Sequence, residues 1–313
     1  MIGNGLAYVS AAVRDPQGVA SILERDFQLR RADCAVGGTG RTAPVLVVGD
    51  TAVALFEIGD PFVGGAEKTG VHHLAVSTEN LESAAREAQR LHVPSLPGRS
   101  EAGLAGARRI LLDPDATGGI ITWLSEPIDL PSPVRSTVQR IDHIGVASDN
   151  NPNFLEVLSR RLGWPVESTQ TDVEISQTSE SFTSDKYGVI YRSRQPEFIG
   201  GLRVAFLTIG DCDLELLQNF DPNAHGEVQH GHAGSTRQDQ GVITRYIESR
   251  GPGLHHLAFK VRNIDALLRR LHQAGHSMID TVGRPGSRLA KIGFLHPASL
   301  GGLLVHLVER EEI

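Results

Sequence analysis

Cysteine is scarce: Cys34 and Cys212 are the only two, too few for a disulfide framework or a thiolate zinc site. A basic tract is also missing, with 30 Lys and Arg against 37 Asp and Glu and a net charge of −7. Nucleic-acid backbones are held by clustered Lys and Arg, so no nucleic-acid partner is expected. There is no apolar run of the roughly 18 residues that a membrane helix requires. Met1 to Asp15 lack the basic stretch and apolar core of a signal peptide. These absences predict a soluble cytoplasmic protein with no membrane partner. What is present is balanced, with 40% hydrophobic and 21% charged residues, as in ordinary globular chains. At roughly 150 residues per domain, the length predicts two domains.

An internal repeat organises the chain. Gly70-Val71-His72-His73-Leu74-Ala75-Val76 is echoed by Gly253-Leu254-His255-His256-Leu257-Ala258-Phe259. A helical pattern follows each copy, over Glu79–Arg86 and Arg262–Arg270. Downstream, Leu112-Asp113-Pro114 with Gly118-Gly119 matches Leu295-His296-Pro297 with Gly301-Gly302. Each half holds two shorter units. Leu6–Val13, Val71–Ser77, Ile141–Ser148 and Leu254–Val261 read as strands, each followed by an amphipathic helix and further strands. Gly210-Asp211, between the strands Leu202–Leu207 and Asp213–Leu217, is a hairpin signal, and Gly49-Asp50 holds the matching place in the first half. The pattern is β-α-β-β-β, four times over. Pro127, Pro131 and Pro133 discourage regular structure. The expected domains are therefore 1–126 and 140–313, joined by a linker at 127–139.

These stretches resemble the vicinal oxygen chelate superfamily, which includes glyoxalases, bleomycin-resistance proteins and extradiol dioxygenases. The C-terminal half is most similar to methylmalonyl-CoA epimerases, through Ile141-Asp142-His143-Ile144-Gly145-Val146, Leu202–Glu215, Gly253–Ala258 and Ala290–Pro297. The paired halves resemble the layout of extradiol and 4-hydroxyphenylpyruvate dioxygenases. The resemblance implies an α+β fold of four βαβββ units, paired into two domains with barrel-like curved mixed sheets. It also places metal ligands at His143, Glu215, His256 and His306. Relatives carry Glu where His306 stands, and epimerases usually carry Gln where Glu215 stands, so the single carboxylate has moved to the pseudo-two-fold-related position. Three imidazoles and one carboxylate suit a divalent ion such as Fe, Co, Ni, Mn or Zn. The matching positions of the first half are Tyr8, Ala54, His73 and Trp123. They imply a scaffold, or a metal-free cleft lined by Tyr8 and Trp123.

Other residues have competing readings. His306 is either a ligand or a catalytic imidazole, and a bulge would bring Glu309 to the ligand position in its stead. Strand alternation places His255 on the face opposite His256. His225, His230 and His232 read as a solvated loop or a lid. Ser168–Gln195, with Tyr187 and Tyr191, is long for a connection and reads as a pocket rim or an oligomer contact. Arg284 and Arg288 are candidates for binding a substrate carboxylate or phosphate, with a solvated turn as the alternative.

Three functions stay open at this point. One is a metal-dependent isomerase, epimerase or lyase that acts through a metal-stabilised enolate of a small oxygen-chelating acid or acyl thioester. In it Glu215 transfers the proton and His306 is the fallback. The second is a non-haem Fe(II) dioxygenase, and the third a metal-free ligand-binding or resistance protein. A small-molecule substrate and a homo-oligomer are expected.

Overall fold

The computed structural model describes residues 1–134, 136–223 and 241–311. The first unit runs β1 (Gly5–Val13), α1 (Pro16–Arg25), β2 (Arg30–Val36), β3 (Arg41–Val48) and β4 (Thr51–Glu57). The second runs β5 (Gly70–Ser77), α2 (Leu81–Arg90), β6 (Ser95–Ala102), β7 (Arg108–Leu112) and β8 (Thr122–Ser125). In the third, β9 (Val138–Ala147) leads into α3 (Asn151–Leu155) and a turn of π-helix. Then come β10 (Val166–Ser176), an added hairpin of β11 (Ser179–Ser184) and β12 (Gly188–Ser193), β13 (Glu197–Ile209) and β14 (Cys212–Phe220). An extra helix, α4 (Val242–Arg250), precedes the fourth unit: β15 (Gly253–Val261), α5 (Ile264–Gln273), β16 (Arg284–Pro285), β17 (Lys291–Leu295) and β18 (Val305–Glu309).

Local chemistry fixes the starts of these helices. Asp15 accepts from the Gly18 amide at 2.9 Å ahead of Pro16, and Asn80 accepts from the Ser83 amide at 2.9 Å. Both satisfy amides that have no partner within the helix. The hairpin signals hold: Gly49 and Gly210 turn the chain in the left-handed region, at φ 63° and 66°, where glycine meets no Cβ penalty.

Each half forms one eight-stranded mixed sheet, in the orders β2-β3-β4-β1-β5-β8-β7-β6 and β10-β13-β14-β9-β15-β18-β17-β16. In both, the first strands of the two units pair antiparallel at the centre and each lies parallel to the last strand of its own unit. This is the expected α+β arrangement of four βαβββ units. One face of each sheet joins a common core with the helices, in which Leu23, Leu74, Ile144, Trp164, Leu257 and Leu268 are fully or almost fully buried. The opposite face of each sheet lines a cleft. In the first half that cleft is packed shut by Tyr8, Phe56, Phe62, Leu104 and Trp123. Among the described residues no helix is long and apolar enough to cross a membrane.

The central strands depart from simple alternation. Ala7 and His72 are extra residues in the β1–β5 ladder, and Asp142 and His255 are extra in the β9–β15 ladder. A β-bulge of this kind leaves its extra residue unpaired and bends the strand. The departure decides what surrounds the site.

Candidate metal centre

His143, Glu215, His256 and His306 stand on four adjacent strands, β9, β14, β15 and β18. The register sets them in two rows across the sheet. His143, Ala258 and His306 are cross-strand neighbours, and so are Glu215, Gly145 and His256. The small middle residue of each row leaves room for the rings. A Cβ on Gly145 would lie 2.1 Å from Cε1 of His256, so no larger residue fits there without moving the imidazole.

The four side chains converge. His143 Nε2 lies 3.2 Å from Glu215 Oε2 and 3.3 Å from His256 Nε2, and His256 Nε2 lies 3.5 Å from the same carboxylate oxygen. His306 Nδ1 is 3.3 Å from His143 Nε2. All four side chains are buried. Among the described residues, His143, His256 and His306 offer nitrogens that all lie within 4.8 Å of one another. Donors bonded at about 2.1 Å to one ion stand about 3.0–3.4 Å apart, so the three imidazoles are close enough to share a divalent cation, and Glu215 adjoins two of them. Among the described residues the buried His306 Nε2 has no hydrogen-bond partner, while it is the other ring nitrogen, Nδ1, that faces His143.

The bulges supply the next layer, and sequence alternation missed it. Asp142, fully buried, places Oδ2 at 2.9 Å from His143 Nδ1. Its Oδ1 accepts from Arg310 Nη2 at 3.0 Å, and Arg140 and Arg288 approach at 3.6 and 3.8 Å. Burial alone would raise the Asp142 carboxyl, but His143, Arg310 and Arg140 hold it well below the usual range. It therefore fixes the His143 ring with Nε2 toward the centre, as carboxylates do behind metal-bound histidines. His255 is the second correction. Because it is the bulged residue, its Nδ1 lies 3.1 Å from His256 Nδ1 and it lines the same cavity, instead of facing away. Burial lowers His255 to about 3, so it stays neutral. Asp142→Asn is expected to weaken metal binding about 10- to 100-fold and, by leaving Arg310 without its buried carboxylate, to lower the unfolding midpoint of the metal-free chain. A metal titration that matches wild type would remove Asp142 from this role.

Without an ion, a proton takes its place. Burial opposes a charge on His143, yet Glu215 and Asp142 outweigh it and raise the imidazole to about 9. Glu215 is held well below its ordinary value despite burial, chiefly by His143. Burial keeps His256 and His306 low, His306 markedly so. In the metal-free chain the His143 proton therefore contributes stability in full below its ordinary value of 6.5, lost as pH rises through about 9. A cation competes with that proton, so affinity should climb with pH until about 9. Cobalt(II) titrations at neutral pH, in two buffers of different ionisation enthalpy, should show about one proton released per ion. Release of none would contradict this.

Glu215, His256 and His306 open onto a cavity of about 220 Å³, with Leu202, Leu217, Ile243, Ile279 and Ile292 among its apolar walls. Arg284 lines it too. Asp280 accepts from Arg284 Nε at 3.1 Å, and the guanidinium sits 5.6 Å from the ring centre of Phe294, which stacks on His306 at 4.2 Å. Arg288 lies elsewhere. Its guanidinium stacks on Phe206 at 3.5 Å and pairs with Asp213 and Glu167 at 2.8 Å each. Glu309 is not in a ligand position, because β17 and β18 pair without a bulge and its carboxylate accepts from the Asn263 and Ile264 amides at 2.8 and 3.0 Å. His225, His230 and His232 lie outside the described residues. A roomier cleft of about 480 Å³, between the turns at Gly49 and Gly210 and residues 127–133, contains none of the four donors.

In the first half, register puts Tyr8, Ala54, His73 and Trp123 at the matching points, but a guanidinium fills the space between them. Arg109, on β7, is buried between the rings of Phe62 and Trp123, at 3.7 and 3.8 Å from their centres. It reaches Glu101 at 2.5 Å, His73 Nε2 at 3.3 Å and the Tyr8 hydroxyl at 3.4 Å. An open cleft lined by Tyr8 and Trp123, one of the two sequence readings, is therefore corrected: the chain's own cation occupies it.

Comparison with known proteins bears on the fold that carries these residues. Residues 142–294 match the Glyoxalase/Bleomycin resistance protein/Dioxygenase superfamily. The chain thus carries a domain of that superfamily. Over 131 residues, 42% of its length, it is 25% identical to the uncharacterized protein YqjC of Bacillus subtilis (strain 168), covering 81% of that protein. Over 133 residues, also 42% of its length, it is 26% identical to the mitochondrial methylmalonyl-CoA epimerase of Mus musculus, covering 65% of that protein. A mutant of 4-hydroxymandelate synthase from Streptomyces coelicolor shares the whole two-half fold, with a TM-score of 0.61 at 17% identity, over 99% of this chain and 94% of that one. Methylmalonyl-CoA epimerase from Mycobacterium tuberculosis aligns with 57% of this chain and 93% of its own, at 24% identity and a TM-score of 0.38.

Proposed function

We propose that this chain is a metal-dependent isomerase, epimerase or lyase that removes a proton from the carbon beside a chelated oxygen of a small acid or acyl thioester. The observation that carries this is the place of Glu215, the one carboxylate among the convergent donors, 3.2 Å from His143 and 3.5 Å from His256 on the cavity wall. His143, His256 and His306 would hold the ion, with Glu215 as fourth donor or as base. Bound there, a divalent ion would supply Lewis acidity that stabilises negative charge on a substrate oxygen.

The chain's own residues supply the rest. Glu215 is ionised, as a base must be, and takes the proton from the substrate carbon. The apolar walls hold the hydrocarbon part of the substrate and exclude water. Arg284 turns its terminal N–H groups to a carboxylate or phosphate on the substrate. The kinship with an epimerase in sequence supports this reading.

A second reading rests on one feature: His143, His256 and Glu215 form a mutually close set of two histidines and one carboxylate, the donors typical of oxygen-activating non-haem iron. Metal analysis of untagged protein purified without oxygen, beside His256→Ala and Glu215→Ala, tests both readings. About one ion per chain, lost in His256→Ala and weakened or lost in Glu215→Ala, is the expected result. Exchange of the α-proton of 2-oxo acids or malonyl-type thioesters with solvent deuterium would support proton abstraction. Oxygen consumption with Fe(II) and no exchange would favour the dioxygenase. Failure to hold any divalent ion, even after its addition, would sink both and leave a ligand-binding protein.

A further inference from the structure

The three converging imidazoles are not held alike. Behind His143 stands the Asp142 carboxylate, 2.9 Å from Nδ1, and behind His256 stands the His255 ring, 3.1 Å from Nδ1. His306 turns Nδ1 to His143 at 3.3 Å, and among the described residues its Nε2 has no hydrogen-bond partner. A hydrogen bond behind the ring is the usual means of fixing a donor imidazole. His306 is fixed by other means.

Phe294, its cross-strand neighbour on β17, lies flat against it, with the ring centres 4.2 Å apart and the planes 6° from parallel. The other phenylalanine contacts of the cluster are edge-on, His143 with Phe206 at 80° and His256 with Phe294 at 73°. Phe294 is itself gripped through its backbone. Its amide donates to Asp280 Oδ2 at 3.0 Å, and its carbonyl accepts from the Ile279 and Asp280 amides at 3.0 and 3.1 Å. The first half serves as an internal control. There the register sets Leu111 beside Trp123, where the second half sets Phe294 beside His306. An aliphatic side chain meets the packing need at that place, so the flat ring accompanies the imidazole.

We propose that Phe294 is the positioning residue for His306, holding the plane of the imidazole so that a ring nitrogen stays directed at the shared centre before an ion arrives. It does by stacking what Asp142 does for His143 by hydrogen bonding. The two devices differ in what they fix. A hydrogen bond behind the ring sets both its plane and its tautomer, whereas a stack sets the plane alone. Without the stack, His306 would have to be ordered at the moment of binding, a cost that a preoriented ring avoids. The inference rests on His306 being a ligand, as in the function proposed above.

The test is cobalt(II) binding to the metal-free full chain, with no substrate present, followed by calorimetry and by visible absorption of the bound ion. Phe294→Leu, which installs the residue of the first half, should raise the dissociation constant about 3- to 10-fold and change the cobalt spectrum. Phe294→Tyr keeps a flat ring and should stay within about twofold of wild type, with the wild-type spectrum. His306→Ala should weaken binding further, and in that background Phe294→Leu should change nothing more, because its effect passes through the imidazole. Wild-type affinity and spectrum in Phe294→Leu, beside a clear loss in His306→Ala, would overturn the proposal alone. So would an equal loss from Phe294→Leu whether or not His306 is present. Wild-type binding in His306→Ala would remove His306 from the ligand set, and the proposal with it.

Discussion

Glu215→Gln should lower α-proton exchange by about 10²- to 10⁴-fold, the usual contribution of a positioned base, while saturating metal still loads the site. The substitution keeps the shape of the side chain and one oxygen facing His143 and His256, now 3.2 and 3.5 Å away. It removes the charge and with it the capacity to accept a proton. The two roles of Glu215 separate in this one variant. A full complement of ion with no exchange identifies the base, whereas loss of the ion at saturating concentration identifies a ligand. Unchanged exchange would transfer the proton step to His306, and His306→Gln would then carry the large loss. Because the carboxylate is held well below its ordinary value mainly by His143 against the cost of burial, its charge in the metal-free chain should persist through the neutral range.

Arg109→Ala should destabilise the first half by about 2–5 kcal/mol, the range for truncating a large buried side chain. The guanidinium is stacked between two aromatic rings and is 1% exposed, while its partner Glu101 is 39% exposed. The loss is therefore of packing and cation–π contact more than of the ion pair, since Glu101 can turn to water. Arg109→Lys should fall between wild type and Ala, because an ammonium keeps the charge but cannot present a planar group to both rings. Denaturant unfolding followed by tryptophan fluorescence measures this directly, Trp123 being one of the two rings. A change below about 1 kcal/mol would mean that the cleft collapses around the missing side chain.

Much of this site was legible in the sequence. The repeat sets His73 against His256 and Trp123 against His306, and the strand register reproduces those correspondences. It also aligns Tyr8 with His143 and Ala54 with Glu215. The helix caps at Asp15 and Asn80 and the glycine turns follow from local chemistry alone. What escaped were Asp142, His255 and Arg109, each for a physical reason. Alternation assigned His255 to the wrong side because a bulge interrupts it, and it gave no role to Asp142, the extra residue of β9. Arg109 resembles any charged residue on an edge-proximal strand, and nothing nearby in sequence announces Phe62 or Glu101 as its partners. The bulges did leave a trace. Along the four central strands the core residues step by three where a residue is extra, Leu6 to Val9, Val71 to Leu74, Val138 to Ile141, Ile141 to Ile144 and Leu254 to Leu257, all of them buried in the common core. A strict strand steps by two. The odd step marks the extra residue.

Those extra residues make each central strand count in two phases, even on one side of the bulge and odd on the other. His256 and Ala258 reach the cleft while Leu254 and Leu257 reach the core, a parity no uninterrupted strand allows. Removing His255 or Asp142 as a whole residue would thus do more than delete a side chain. It would remove the change of phase at that point and turn one end of the strand over, exchanging core for cleft. The first half has bulges at Ala7 and His72 too, although His73 is the one histidine among its four matching positions. Side chains can be replaced one at a time, but the phase of a strand changes only all at once.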